Sequence, residues 1–239
     1  MTAAFTAPIL TVVIPAFNEE ANVGPVVERT RRVLDGQAWV QGYEIIVVDD
    51  GSTDRTGAVA DTLAARHDDV RVVHHRRNGG FGAAIRSGYA AATGKYASAI
   101  PADGEVEIEQ ALNLLRDNLD ADLMISRRDR PVVFRREVLS RAWNGLMRLI
   151  VGFDLRGMDG IYVIRTDLVR GFTLRSNTGL VNLEILLQCA RLGVLTRSGI
   201  MRASPRLSGA SKVTNVRTMS KLTWEMVKLR MALMKEARK

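Results

Sequence analysis

The sequence contains few of the residues that define several common classes of protein. It has one cysteine, Cys189, which excludes an internal disulfide framework and a multi-cysteine metal site. It has only three histidines, which leaves little room for a His-rich metal centre. No apolar run approaches the roughly 20 residues that a membrane-spanning helix needs. The amino terminus has no basic segment followed by a long apolar stretch. We therefore expect no secretory signal and a cytoplasmic location.

The overall composition is that of a globular protein with a basic surplus. The 239 residues are 46% hydrophobic and 25% charged, which is too apolar for a disordered chain and long enough to bury a core. Lys and Arg number 34 against 26 Asp and Glu, a net charge of +8, and the surplus lies mainly in residues 127–148 and 202–239. Such segments attract the phosphates of a nucleic acid, an anionic lipid or a nucleotide, or simply form a solvated basic face.

Short β-branched runs alternate with helical patterns in the first half of the chain. Buried strands are predicted at Leu10–Pro15, Glu44–Asp49, Val70–His75, Tyr96–Ile100 and Asp122–Ser126. Helices are predicted at Glu19–Leu34, at Asp54–Ala65 with Ser52 or Thr53 as cap, at Phe81–Thr93 ended by Gly94, and at Glu107–Asn118. This alternation is typical of α/β proteins with an open, mostly parallel, Rossmann-like sheet and helices on both faces.

The second half of the chain is less regular. The patterns predict a helix over Val138–Val151, a strand over Ile161–Ile164, and a helix over Leu180–Leu192 that Gly193 closes. Residues 204–215 resemble a loop, and Met219–Lys235 is predicted to be an amphipathic helix. We therefore expect one domain over 1–215 and a helical extension over 216–239. That helix could pack on the domain, on a second subunit in a homodimer, or on the surface of a membrane.

Polar and glycine-rich segments follow four of the predicted strands, where ligands bind in open α/β sheets. They are Pro15-Ala16-Phe17-Asn18-Glu19-Glu20, Asp49-Asp50-Gly51-Ser52-Thr53-Asp54, Asn78-Gly79-Gly80-Phe81-Gly82 and Pro101-Ala102-Asp103-Gly104-Glu105. Each segment alone is also explained as a turn or a helix cap. Together they bring carboxylates from three strands to one edge, where such groups repel unless a cation lies among them. A divalent metal that bridges a diphosphate is the simplest arrangement.

These segments carry a resemblance to a known family. TVVIPAFNEE, EIIVVDDGSTDRT, NGGFGAAIRSGYAAATGKY and PADGE, followed by RLSGASK, resemble the GT-A fold family 2 glycosyltransferases. The sequence is most similar to dolichol-phosphate mannosyltransferases and bacterial polyprenyl-phosphate sugar transferases. The resemblance runs from about Thr11 to Lys212, and Glu184 matches the helix of the family that carries a glutamate.

The resemblance implies roles on the side of the nucleotide-sugar donor, a UDP- or GDP-sugar. The residues that would hold the base and ribose are Pro15, Phe17, Glu19 and one of the neighbours Asp49 and Asp50, because side chains alternate along a strand. Asp103 matches the last Asp of the Asp-x-Asp motif that coordinates Mg²⁺ or Mn²⁺ on the diphosphate. Pro101 replaces the first Asp, and Glu105 is a second candidate ligand. Arg206 and Lys212 match cationic positions near the diphosphate.

On the acceptor side, the resemblance implies that Arg127, Arg136 and Ser140 contact a phosphate, which suits the arginine-rich segment. An anionic phosphate needs no strong general base, whereas a hydroxyl acceptor does. Asp159 is the candidate base, and a structural cap is its alternative role.

Three functions follow from the sequence, in decreasing order of support. The first is an inverting, metal-dependent transfer of sugar to a polyprenyl phosphate or another lipid acceptor, with the enzyme in the cytoplasm or peripheral at the inner face of the membrane. The second is transfer to a soluble or secondary-metabolite acceptor. The third is non-catalytic binding of a nucleotide sugar or a nucleic acid. No recognition-helix motif or aromatic-studded basic strand is present, so we expect no nucleic-acid partner.

Overall fold

The computed structural model describes residues 9–104, 106–129 and 160–202, together with Met231. The strands in these ranges are β1 (Leu10–Ala16), β2 (Tyr43–Asp49), β3 (Val70–His74), β4 (Tyr96–Ala99), β5 (Leu123–Asp129), β6 (Tyr162–Arg165) and β7 (Thr196–Arg202). The helices are α1 (Val23–Asp35), α2 (Thr56–Arg66), α3 (Phe81–Ala91), α4 (Ile108–Asp117), α5 (Thr166–Arg170) and α6 (Val181–Leu192). The strands form one sheet in the order β3-β2-β1-β4-β6-β5-β7.

The sheet is mostly parallel, as the sequence predicts. β1 pairs in parallel with β2 on one side and β4 on the other, and every residue of β1 is buried. β6 is the exception, because it lies antiparallel between β4 and β5. β7 was not predicted from the sequence, and it pairs in parallel with β5.

Helices cover both faces of the sheet, which confirms the predicted layer arrangement. On one face the apolar side chains of α1, α2 and α4 pack against Val12 and Ile14 of β1. On the other face α3 and α6 pack in a second cluster that contains Val13. Neighbouring residues of β1 thus enter opposite cores, because side chains alternate across a strand. This explains why the strand is a continuous apolar run.

Two helix starts differ from the prediction. α1 begins at Val23 and not at Glu19, because the backbone from Glu19 first forms a turn in which Asn22 N–H and Val23 N–H donate to Glu19 O. α2 begins at Thr56, and neither Ser52 nor Thr53 caps it. Arg55 occupies the cap position without a side-chain cap hydrogen bond, and the carboxylate of Asp54 accepts a hydrogen bond from Thr56 N–H at 2.9 Å.

The end of α3 also differs, because the helix ends at Ala91 rather than at Thr93, the residue before Gly94. The buried carboxylate of Glu44 accepts hydrogen bonds from the backbone N–H groups of Thr93 and Gly94, which draws the chain out of the helix. The prediction for α6 was close, since the helix runs from Val181 to Leu192 and Gly193 closes it with a left-handed backbone, φ 63°.

Several predicted elements lie outside the described residues. These are the helix at 138–151, the loop at 204–215 and, apart from the helical residue Met231, the amphipathic helix at 219–235. Among the residues that are described, no helix has both the length and the hydrophobicity to cross a bilayer.

Candidate active site

The strand order brings together the four segments that the sequence analysis singled out. β3, β2, β1 and β4 are consecutive in the sheet and run parallel, so their carboxyl ends lie side by side at one edge. We call this edge the carboxyl edge. It is the position at which open α/β sheets bind their ligands.

The loops that follow β1 and β2 are joined by hydrogen bonds. Asn18 N–H donates to Ser52 Oγ at 3.0 Å, and Thr53 N–H donates to Asn18 Oδ1 at 2.8 Å. Glu19 N–H donates to Thr56 Oγ1 at 2.8 Å. Asn18 has a positive φ of 55°, a conformation that asparagine tolerates better than most residues. Ser52 and Thr53 therefore connect the two loops, which explains why they do not cap α2.

Asp49, the last residue of β2, is 7% exposed and is held by two partners. Its Oδ1 accepts a hydrogen bond from Ser52 N–H at 3.0 Å, and its Oδ2 lies 3.1 Å from His74 Nδ1. Burial acts to raise the pKa of Asp49, but the hydrogen bonds from Ser52 and His74 outweigh it and the pKa is lowered. Asp49 is therefore a carboxylate at neutral pH.

Asp50 is even less exposed, at 3%, and it binds the turn that follows β3. Its Oδ1 accepts from Gly79 N–H at 2.9 Å and lies 2.6 Å from His75 Nδ1, and its Oδ2 accepts from Gly80 N–H at 2.8 Å. Gly80 has φ 91°, and an added Cβ would lie 2.3 Å from Asn177 O. Only glycine fits this position without moving the backbone.

The two aspartates bind partners on different sides of the sheet. Asp49 Oδ2 faces the first turn of α2, since a Cβ added to Gly57 would lie 2.7 Å from it. Asp50 faces the first turn of α3 through Gly79 and Gly80. The two side chains therefore leave the end of β2 in different directions, and which of them faces a base stays a prediction.

The other residues predicted to bind the nucleotide lie at the same edge. Pro15 is buried within β1, and Phe17, just beyond the strand, is 39% exposed although it is large and apolar. Glu19 is partly exposed, and its carboxylate accepts a hydrogen bond from Asn22 Nδ2 at 2.7 Å. An exposed aromatic ring at this edge suits stacking on a base.

Asp103 lies in a turn directly beyond β4. Ala102 N–H donates to Pro15 O at 3.2 Å, so the β4 backbone stays beside β1 up to this point. Gly104 N–H then closes the turn on Pro101 O at 3.4 Å. Asp103 is partly exposed and follows β4, which lies next to β1, the strand that Phe17 follows.

A divalent metal at this turn would have Asp103 as its ligand among the described residues. Within the described residues, no group of three or more His, Cys, Asp or Glu side chains is placed to hold one. Mg²⁺ and Mn²⁺ in phosphate sites are commonly held by one or two carboxylates, with substrate phosphates and water completing the shell. The carboxylate oxygens of Asp103 are suitable ligands for a metal that is bound together with a diphosphate.

On the acceptor side of the predicted site, the structure describes the backbone of Arg127 and the residues beside it. Ser126 N–H donates to Ile161 O at 2.9 Å, and Ile161 N–H donates to Ser126 Oγ at 2.7 Å, which joins the end of β5 to the start of β6. Arg127 follows Ser126 within β5 and has Ile200 of β7 as its register partner. Its backbone position is therefore near the carboxyl edge.

Glu184 of α6 holds a loop against the start of α3. It is 1% exposed, and its Oε2 accepts hydrogen bonds from Arg175 N–H at 2.8 Å and Ser176 N–H at 2.9 Å. Its Oε1 is buried without a hydrogen-bond partner among the described residues. Burial raises the pKa of Glu184, although these backbone hydrogen bonds oppose it. Arg86 of α3 donates to Asn177 Oδ1 at 2.6 Å on the same loop.

Six of the predicted site residues lie outside the described residues. They are Glu105, Arg136, Ser140, Asp159, Arg206 and Lys212. Their assigned roles stay predictions.

The two histidines where β3 ends, His74 and His75, were not predicted from the sequence as site residues. His74 and His75 contact Asp49 and Asp50 respectively, and each also contacts a helix on its own side of the sheet. A signal was available, because two consecutive histidines directly precede the Asn78–Gly82 turn and alternate across the strand. The register of β3 against β2, which brings the histidines to the two aspartates, could not be predicted from the sequence.

The position of His74 between two carboxylates leads to a pH-dependent prediction. Hydrogen bonds to Asp61 Oδ1, at 2.9 Å, and to Asp49 Oδ2 raise the pKa of His74 above its ordinary 6.5. A raised pKa in the folded state stabilises the protein below the unfolded-state pKa, and this contribution is lost as pH rises through the folded pKa. We expect an NMR titration of His74 with a midpoint above 6.5. The substitution Asp61→Asn should lower that midpoint, and an unchanged midpoint would contradict the assignment.

Comparison with known proteins defines the class to which this fold and site belong. The sequence profile described as "Glycosyl transferase family 2" matches residues 11–176, more than half of the 239 residues. The chain belongs to glycosyltransferase family 2.

Among curated proteins, the chain is 35% identical over 163 residues to a polyprenol monophosphomannose synthase of Mycolicibacterium smegmatis, covering 63% of this chain and 59% of that protein. It is 30% identical over 162 residues to a dolichyl-phosphate beta-glucosyltransferase of Trichomonas vaginalis, covering 62% and 49%. The match thus spans only about half the length of such relatives. An uncharacterized glycosyltransferase of Mycobacterium bovis is 30% identical over 213 residues, covering 86% of this chain and 89% of its own.

A solved structure shows the same fold. The glucosyl-3-phosphoglycerate synthase of Mycobacterium tuberculosis, in complex with Mn²⁺, UDP-glucose and phosphoglyceric acid, matches with a TM-score of 0.69 at 23% identity, over 93% of this chain and 79% of that one. The chain therefore has the GT-A fold that the resemblance predicted.

Proposed function

We propose that this glycosyltransferase is an inverting enzyme that transfers a sugar from a UDP- or GDP-sugar to a polyprenyl phosphate. The observation that carries the proposal is the carboxyl edge itself. It brings the Asp49–Asp50 pair, the Phe17 loop and Asp103 to the ends of adjacent strands. The relatives named for dolichyl phosphate and polyprenol monophosphomannose support the class of acceptor.

In this proposal the donor lies along the carboxyl edge with its base near β2 and its diphosphate near β4. The exposed ring of Phe17 stacks on the base, and one of Asp49 and Asp50 accepts a hydrogen bond from it. Both aspartates are already oriented by backbone N–H groups, so little reorganisation is needed when the donor binds.

The diphosphate end of the donor would meet Asp103. Asp103 would hold a Mg²⁺ or Mn²⁺ ion, and a bound divalent cation neutralises negative charge that develops on a leaving nucleoside diphosphate. Asp103 is suited to this because the turn from Pro101 to Gly104 fixes its backbone. The predicted positions of Arg206 and Lys212 add positive charge near the same diphosphate.

The acceptor phosphate would approach from the β5 side of the edge. Arg127, directly after the Ser126–Ile161 connection, would bind it, together with Arg136 and Ser140. A phosphate oxygen attacks the anomeric carbon, the bond from that carbon to the donor phosphate breaks, and the nucleoside diphosphate leaves. The nucleophile is already anionic, so no side chain of this chain has to remove a proton.

A transfer assay with labelled donors tests the acceptor. Purified protein is incubated with UDP-glucose or GDP-mannose, Mn²⁺ and one acceptor, either polyprenyl phosphate in detergent or 3-phosphoglycerate. We expect organic-soluble labelled product with polyprenyl phosphate. Product from 3-phosphoglycerate alone would replace the lipid proposal with a soluble phosphate acceptor, in line with the phosphoglyceric acid in the M. tuberculosis structure.

A thermal-shift panel tests the donor before any acceptor is known. A ligand that binds only the folded state raises the melting temperature, by roughly 5–10 °C for a chain of this size at about 100 times Kd. We expect such a shift with UDP or GDP, larger with Mn²⁺ than without it. CDP and dTDP are the comparison ligands, and equal small shifts with all four nucleotides would contradict a specific base site.

A further inference from the structure

The end of β3 carries two consecutive histidines that connect the aspartates of β2 to the helices on opposite faces of the sheet. His74 lies between Asp49 and Asp61 of α2. His75 lies between Asp50 and Ser87 of α3. Each aspartate of the candidate donor site is therefore joined to a helix through a histidine.

The connection through His75 is the more buried of the two. Its Nδ1 is 2.6 Å from Asp50 Oδ1 and its Nε2 is 2.8 Å from Ser87 Oγ. The His75 side chain is 18% exposed and that of Asp50 is 5% exposed, whereas the His74 side chain is 44% exposed. A hydrogen bond shielded from water is costly to remove, because the remaining partner is left buried and unsatisfied.

The hydrogen-bond chemistry assigns the proton on the ring. The Asp50 carboxylate only accepts hydrogen bonds, so Nδ1 of His75 must donate to it. The hydroxyl of Ser87 both donates and accepts, so it satisfies Nε2 whether or not that nitrogen carries a proton. The connection therefore works with a neutral imidazole. The link through His74 differs, since carboxylates face both of its nitrogens.

Asp50 connects His75 to the glycine turn. Its carboxylate accepts from Gly79 N–H and Gly80 N–H as well as from His75, and Gly80 is the residue before α3. The ends of β2 and β3 and the start of α3 thus meet at one carboxylate. Rotation of that carboxylate would break all three contacts.

We propose that His75 is a positioning residue for donor binding, which rests on the proposed function. Through Nδ1–H it fixes the orientation of Asp50 and of the Asn78–Gly82 turn, and Ser87 fixes the ring of His75. The nucleotide then meets an edge that is already ordered. Loss of the connection weakens donor binding and leaves the chemical step little changed, because His75 does not touch the reacting atoms.

The test compares four variants with the wild-type protein. His75→Leu keeps a side chain of similar volume but removes the N–H group that donates the hydrogen bond to Asp50. His75→Asn keeps an N–H group close to the position of Nδ1. Ser87→Ala removes only the outer hydrogen bond. The matched control is His67→Ala, a histidine paired with Glu28 on the face of α1 and away from the carboxyl edge. The measurements are Kd for UDP and for GDP with Mn²⁺ by calorimetry, and the KM and kcat for the sugar donor.

We expect about a 10-fold rise in nucleotide Kd and in donor KM for His75→Leu, with kcat changed less than about 3-fold. His75→Asn should recover binding to within about 3-fold of the wild type, Ser87→Ala should raise Kd about 3-fold, and His67→Ala should leave it unchanged. If the role of His75 were purely structural, its loss would lower both stability and kcat. The Kd and KM would then not rise separately from kcat, and asparagine would not restore binding.

The outcomes separate this proposal from the proposed function. If the wild type binds a nucleotide and His75→Leu binds it equally well, the positioning role is overturned while the proposed function stands. If His75→Leu does not fold, Ser87→Ala decides, and an unchanged Kd overturns the role. If the wild type binds neither nucleotide, the proposed function fails first, and the role of His75 fails with it.

Discussion

Replacing Asp103 by alanine should lower sugar transfer by roughly 10²–10³-fold while the protein stays folded. The expected loss is large because Asp103 is the one carboxylate of the predicted metal-binding motif among the described residues, with Pro101 in the place of its first Asp. Without Asp103, the nucleoside diphosphate that departs would lack the metal ion that neutralises its charge. The measurement is the initial rate of labelled-sugar transfer over a range of Mn²⁺ concentrations, with circular dichroism to confirm folding.

The matched control for Asp103→Ala is Asp120→Ala. Asp120 is an exposed carboxylate in the segment between α4 and β5, at the opposite edge of the sheet, where it pairs with Arg197 at 3.4 Å. An exposed ion pair contributes little, so this variant should transfer sugar at the wild-type rate. Wild-type rates in Asp103→Ala at every Mn²⁺ concentration would remove Asp103 from the site.

Replacing Gly160 by alanine should destabilise the fold by about 3 kcal/mol, the upper part of the range for overpacking. An added Cβ would lie only 1.6 Å from Ser126 O, a backbone atom that cannot move without breaking the contacts between β5 and β6. The displaced backbone is next to Arg127, so acceptor binding should suffer as well. Urea unfolding gives the change in the free energy of unfolding.

Gly179→Ala is the control for Gly160→Ala, because nothing lies within 4 Å of a Cβ added there. It should change the free energy of unfolding by less than about 0.5 kcal/mol. Equal stability of the two variants would show that the approach of Gly160 to Ser126 is not a requirement of the fold.

The sequence predicted the first half of the fold well. The strands and the helices of residues 10–126 were found within a few residues of their observed bounds, since continuous apolar runs and helical spacing depend on local patterns. The errors came from contacts that the hydrophobic pattern does not show, one a local backbone turn and the other a side chain that is distant in sequence. The start of α1 follows from a turn at Glu19, and the end of α3 follows from Glu44, nearly 50 residues earlier in the chain.

The second half of the chain was harder to predict because its strands are defined by the strands with which they pair. β7 is a strand at the edge of the sheet, and its residues show no clear alternation of apolar side chains. It is a strand because it lies parallel to β5. Edge strands are half solvated, so their hydrophobic pattern is weak.

The sequence by itself determined the class of fold, the family, and the edge of the sheet at which a nucleotide sugar is expected to bind, because all three depend on motifs at the ends of apolar strands. The tertiary structure alone decided how the aspartates at that edge are held. Asp49 and Asp50 are adjacent in the chain, yet one is joined to α2 through His74 and the other to α3 through His75. The physical reason is the register of β3 against β2, which pairs Asp49 with His74 and which local sequence patterns do not encode.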